Sequence, residues 1–133
     1  MMSILLQIKQ YWISILLSSV ILFLCFMSTE PLPAVPMTDF DKVVHFLMFL
    51  ALSGTVFFDN TSYFKKRITY QRIVWGSFFF PIVFSGLIEI LQEYATTYRS
   101  GDWMDFFYDT MGAFVGLAIC LKINSKLTDK QSH

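Results

Sequence analysis

The chain is 133 residues long, 55% hydrophobic and 18% aromatic, and its ten basic and ten acidic residues sum to a formal net charge of zero. Only 15% of the residues are charged and mean hydropathy is +0.54, a balance that excludes an ordinary water-soluble domain and offers no basic footprint for a nucleic acid. Too little polar sequence remains for a second domain, so 1–133 reads as a single membrane domain.

The first apolar run covers residues 11–27. It is long for a signal-peptide core, Phe26-Met27-Ser28 is a poor cleavage site, and Leu22-Phe-Leu-Cys25 matches a lipoprotein box only loosely, so the run reads as a transmembrane helix. Pro31, Pro33 and Pro36 then stiffen an extended loop. The second run, 43–58, opens just after Asp41 and contains His45, four residues on and therefore on the same helix face. A basic segment, Lys65-Lys66-Arg67 with Arg72, separates it from the third run, 73–91, where Pro81 predicts a kink. That run closes on Glu89 and Gln92.

Arg99 and Asp102 lead into the fourth run, 104–123, and the tail from Asn124 onward is polar and expected to fray. Runs near the ~17–25 residues that cross a bilayer as a helix favour helices over barrel strands. The expected fold is an all-α membrane protein with four transmembrane helices. Cys25 and Cys120 lie in apolar runs and read as small buried hydrophobes, without the paired spacing of a metal or redox motif. Tyr11, Trp12, Trp75, Tyr98, Trp103 and Tyr108 fall near span ends and read as interfacial anchors.

Orientation follows from the basic residues. Lys9, the Lys65–Arg72 loop, and Lys122, Lys126 and Lys130 alternate with loops whose only basic residues are Lys42 and Arg99. The positive-inside rule then places both termini in the cytoplasm and loops one and three outside. On that topology Asp41, His45, Glu89, Gln92, Arg99, Asp102, Asp105 and Asp109 gather at one membrane depth on the outer side. Ionisable groups at such depth are costly and therefore usually functional. Asp105, Asp109, Gly112 and Gly116 recur along one helical stripe. The Gly112-x-x-x-Gly116 pair suits close helix packing or oligomerisation, so the carboxylates should point into the bundle.

The ordered set Asp41-Lys42-x-x-His45-Phe46, Glu89-x-x-Gln92 and Arg99-x-x-Asp102-x-x-Asp105-x-x-x-Asp109-x-x-Gly112-x-x-x-Gly116 resembles the VanZ-like membrane proteins over about residues 38–120. The resemblance implies a small multi-pass protein of the bacterial cytoplasmic membrane, in a family linked to teicoplanin and other glycopeptide resistance. Two departures stand out: Asp109 where the family usually has Asn, and Thr97-Tyr98 where a Pro-Gly commonly precedes the arginine.

Three chemistries fit the cluster. In the first, an anionic amphiphilic envelope molecule binds on the outside. Arg99 grips its phosphate or carboxylate with a planar fork, Asp41, His45, Glu89 and Gln92 orient its head, and membrane lipid or a lipid-linked envelope molecule is the partner. In the second, His45, Glu89, Asp105 and Asp109 form a catalytic centre that works by acid–base chemistry or through a divalent cation, the one cofactor these side chains suggest. In the third, the cluster is a hydrogen-bonded clasp in an accessory or assembly subunit.

Overall fold

The computed structural model describes residues 2–26, 37–64, 69–95 and 103–131. Helices account for all of these except Tyr11 and Thr69, and no strand occurs among the described residues. The elements are α1 (Met2–Gln10), α2 (Trp12–Phe26), α3 (Met37–Phe64), α4 (Tyr70–Val74), a π-helical turn (Trp75–Phe79), α5 (Phe80–Ala95) and α6 (Trp103–Gln131). Three segments, Lys42–Ser62, Tyr70–Ala95 and Trp103–Leu127, are long and apolar enough to cross a membrane; a fourth is reached if the bent pair Ser3–Gln10 and Trp12–Phe26 is one span. The protein is thus an all-helical, membrane-type fold.

The first apolar run, 11–27, forms α2 through Phe26, and a second helix, α1, precedes it. α1 and α2 meet at Tyr11 with a bend of 72°. In an unbroken helix the Ser14 N–H would go to the carbonyl four residues back, that of Gln10. Here it donates to Asp59 Oδ2 at 2.9 Å, and the Ser14 hydroxyl donates to the same oxygen at 2.7 Å. A side chain inserted into the i→i−4 ladder is a recognised cause of helix kinks.

Pro81 does perturb its helix, one turn earlier than the ring itself. Its missing N–H would have bonded the Ser77 carbonyl. That carbonyl instead accepts the Ser53 hydroxyl of α3 at 2.5 Å. The turn before the proline widens to π geometry, in which Phe80 N–H reaches the Trp75 carbonyl. Hydrocarbon offers no water to a stranded backbone group, so a neighbouring helix supplies the donor.

Two helices extend well past their apolar runs. α3 runs on through Asp59 and Asn60, which are 2% and 1% exposed, because both are hydrogen-bonded inside the bundle and not solvated beyond a membrane edge. α6 continues to Gln131 instead of fraying after Ile123, since its Lys-rich last turns contain no Pro or Gly to stop it.

α3 is the axis of the bundle. Ile21 and Cys25 of α2, Phe49, Leu52 and Val56 of α3, and Ile88 of α5 form one buried cluster; Phe57, Ile73 and Cys120 form a second. Both cysteines are buried, and neither is in a disulfide. A Cβ built on Gly112 would fall on the Phe46 backbone, and one on Gly116 would stand 2.6 Å from the Ser53 side chain, so only glycine permits the α3–α6 approach. Leu16, Phe23, Val83, Leu87 and Phe114 are exposed on the outside of the bundle, the surface that lipid would cover.

A buried histidine–carboxylate centre as the candidate functional site

Three helix faces build the site. On α5, Ser85, Ile88, Glu89 and Gln92 follow i, i+3, i+4 and i+7 spacing, so they share one face, and all four are buried. On α6 the stripe Asp105–Asp109 continues into Gly112 and Gly116, whose lack of side chains draws that face against α3. α3 presents His45 between them.

His45 is 3% exposed, Glu89 4% and Asp109 2%. The His45 Nδ1 and Asp109 Oδ1 atoms are hydrogen-bonded at 2.9 Å. Ser85 Oγ donates to the other Asp109 oxygen at 2.5 Å. On the far side of the ring, Nε2 lies 3.6 Å from Asp105 Oδ2, and the Asp105 side chain is 14% exposed. One ligand-capable atom each of His45, Glu89 and Asp109 lies within 4.8 Å of the other two. All three residues sit roughly 9–12 Å in from the helix ends at 1.5 Å per residue, where α3 begins, α5 ends and α6 begins.

Three carboxylates, those of Glu89, Asp105 and Asp109, thus gather around one imidazole. Imidazole plus carboxylate oxygens suits a divalent ion of hard or borderline character.

The remaining sequence candidates are placed as follows. Gln92 is buried beside the centre, and its amide donates to the Cys25 carbonyl at 2.7 Å, closing the C-terminal end of α2. Asp41 lies in the first turns of α3, but its side chain is outside the described set. Arg99 and Asp102 lie outside the described residues. Tyr11, expected as an interfacial anchor, instead turns its hydroxyl inward to Asn60 Oδ1 at 2.7 Å, because the α1–α2 bend carries it against α3.

Sequence reasoning passed over Ser85 and the Ser14–Asp59 and Tyr11–Asn60 pairs. Ser85 was findable as the residue one turn before Glu89. Asp59 lies 14 residues, about four turns, beyond His45 on nearly the same face of α3.

A helical membrane-type fold with a buried histidine–carboxylate centre shared by three helices defines the class of protein. The VanZ/LLP1 family model matches residues 2–124, and the chain belongs to that family. No curated protein and no solved structure matches the chain.

Proposed function

We propose that this VanZ/LLP1-family protein binds an anionic amphiphile of the cell envelope at the His45–Glu89–Asp109 centre, with a divalent cation bridging protein and ligand. The carrying observation is the convergence of one ligand-capable atom from each of those residues within 4.8 Å, all buried. The bridge follows from charge: the ionised carboxylates of a cluster such as Glu89, Asp105 and Asp109 repel a phosphate or carboxylate unless a cation intervenes. Arg99, outside the described residues, is the proposed second handle on the anion.

The proposed orientation opens the centre outward from the bacterial cytoplasmic membrane, with both termini inside. It is supported by the basic residues at the opposite helix ends, and reporter fusions at each terminus test it. A contribution to glycopeptide tolerance follows from the family resemblance, and the teicoplanin susceptibility of a bacterium expressing the protein measures it.

Elemental analysis of protein purified without chelator tests the cation; a stoichiometric divalent ion lost in His45→Ala is the expected result. Mass spectrometry of co-purifying lipids tests the ligand. An anionic lipid or lipid-linked species should be enriched with wild type and depleted with Arg99→Ala. Equal bulk lipids in both, with no divalent ion, would overturn the reading.

A second reading, turnover of the bound molecule, is favoured by one observation. The His45 Nε2 edge faces the partly exposed Asp105 while Nδ1 is held from behind, the layout of an imidazole that takes or gives a proton toward a ligand. Release of inorganic phosphate from a polyprenyl diphosphate by the purified, cation-loaded protein would distinguish turnover from binding.

A further inference from the structure

We propose that Ser85 is a positioning residue of this centre: acting through Asp109, it fixes which nitrogen of His45 is offered to a ligand. The proposal rests on the reading of the centre given above, but the hydrogen-bond relay it describes is present in the protein alone. Ser85 is wholly buried on α5, one turn before Glu89. Its hydroxyl donates to Asp109 Oδ2 at 2.5 Å, and Asp109 Oδ1 faces His45 Nδ1 at 2.9 Å.

The direction of the relay follows from donor and acceptor chemistry. An ionised carboxylate only accepts, so the shared proton with His45 must sit on Nδ1. A neutral His45 then keeps its lone pair on Nε2, because Asp105 Oδ2 on that less buried side lies at 3.6 Å, beyond hydrogen-bond distance, and does not compete with Asp109 for the proton. A histidine that ligates a metal typically donates its other ring N–H to a carboxylate, which fixes tautomer and ring orientation. Asp109 fills that place for His45, and Ser85 in turn keeps the Asp109 carboxylate from rotating away. The order hydroxyl–carboxylate–imidazole also separates Ser85 from an activated serine nucleophile: its proton is directed to Asp109 and not to the imidazole.

The test uses the full chain in detergent micelles, carrying His133→Ala so that His45 is the one imidazole. Nitrogen NMR of labelled histidine, taken at a pH where the ring is neutral, reads the tautomer directly. Wild-type Ser85 and Ser85→Thr, which keeps the hydroxyl, should show the Nδ1–H form. Ser85→Ala, and Ser85→Cys with its weak donor, should show the Nε2–H form appearing. Titration with Co2+ alone, followed by its absorption, gives the second readout, and Ser85→Ala should weaken binding about 10–100-fold. A tautomer unchanged in both Ser85→Ala and Ser85→Cys overturns the positioning role whatever the metal does. A tautomer that depends on Ser85 in a protein that binds no Co2+ supports the positioning role and removes the cation from the proposed function.

Discussion

A single carboxylate oxygen, Asp59 Oδ2, accepts both the backbone N–H and the hydroxyl of Ser14, residues 45 apart in sequence. It acts as the N-cap of α2 from a different helix. The first-turn N–H groups of any helix lack intrahelical acceptors, and in hydrocarbon they cannot turn to water. Gln92 does the converse at the other end, where its amide meets the Cys25 carbonyl. α2 is a 15-residue helix closed at both ends by its neighbours.

Asp59→Ala should therefore strand the Ser14 N–H or let the ladder re-form to Gln10 and straighten the junction. Loss of an N-cap costs about 0.5–2 kcal/mol, and Asp59→Asn, which keeps an acceptor oxygen, should cost less. Thermal unfolding in detergent gives the cost, and electron-spin distances between labels on α1 and α2 give the angle. A bend that persists unchanged in Asp59→Ala would show that Asp59 does not cause it.

Glycine tolerance should split by position. Gly112→Ala drives a methyl into the Phe46 backbone, which cannot yield as a side-chain tip would, and Gly116→Ala meets Ser53. Overpacking of this kind costs about 1–3 kcal/mol, read as lowered abundance and melting temperature, with Gly112→Ala the worse. A Cβ on Gly54 meets nothing within 4 Å, so Gly54→Ala should behave as wild type. Equal effects at all three positions would contradict the α3–α6 packing described.

Ser53 and Pro81 should be thermodynamically coupled although they lie on different helices. Ser53→Ala removes the hydroxyl that serves the Ser77 carbonyl, with a cost near the ~0.6 kcal/mol average for an interhelical hydrogen bond in a membrane. Pro81→Ala restores an N–H that can reach that carbonyl within its own helix. In the Pro81→Ala background the cost of Ser53→Ala should shrink toward zero, and a double-mutant cycle on melting temperatures reads the difference. Strict additivity would mean that the hydroxyl does not replace the missing donor.

The contrast between these elements shows what one-dimensional pattern can carry. The spans at α3, α5 and α6 were legible because each is a long apolar run, and the stripe Asp105–Asp109–Gly112–Gly116 carries its own periodicity. His45, Glu89 and Asp109 were nameable because a charge inside such a run is conspicuous. Ser85, Ser14 and Ser53 were not, since serine is unremarkable in an apolar helix until its partner is known. The partner is set by tertiary packing across 24 residues for Ser85–Asp109 and 45 for Ser14–Asp59. Asp59 drew no notice just beyond the second apolar run, 43–58, for the same reason: sequence shows the charge without the N–H that meets it.

Asp109 separates a ligand site from a structural clasp. Asp109→Asn keeps the side-chain volume and one oxygen to accept from His45, while its amide can donate to the Ser85 oxygen, so the relay keeps two hydrogen bonds with one polarity reversed. Melting temperature and abundance should change little, by less than about 1 kcal/mol. The negative charge is gone, however, so divalent-cation affinity should fall about 10–100-fold. Asp109→Ala removes both acceptors from a fully buried site and should lower stability as well, by about 1–3 kcal/mol for the partner groups left unsatisfied. If the cluster were only a clasp, affinity and abundance would move together in both variants. A stable Asp109→Asn protein that has lost its divalent ion, measured by elemental analysis beside the melting curve, is the outcome expected of a ligand site. An Asp109→Asn protein that keeps both its stability and a stoichiometric ion would show that the charge of Asp109 is not needed for the cation and leave it the orienting role behind His45.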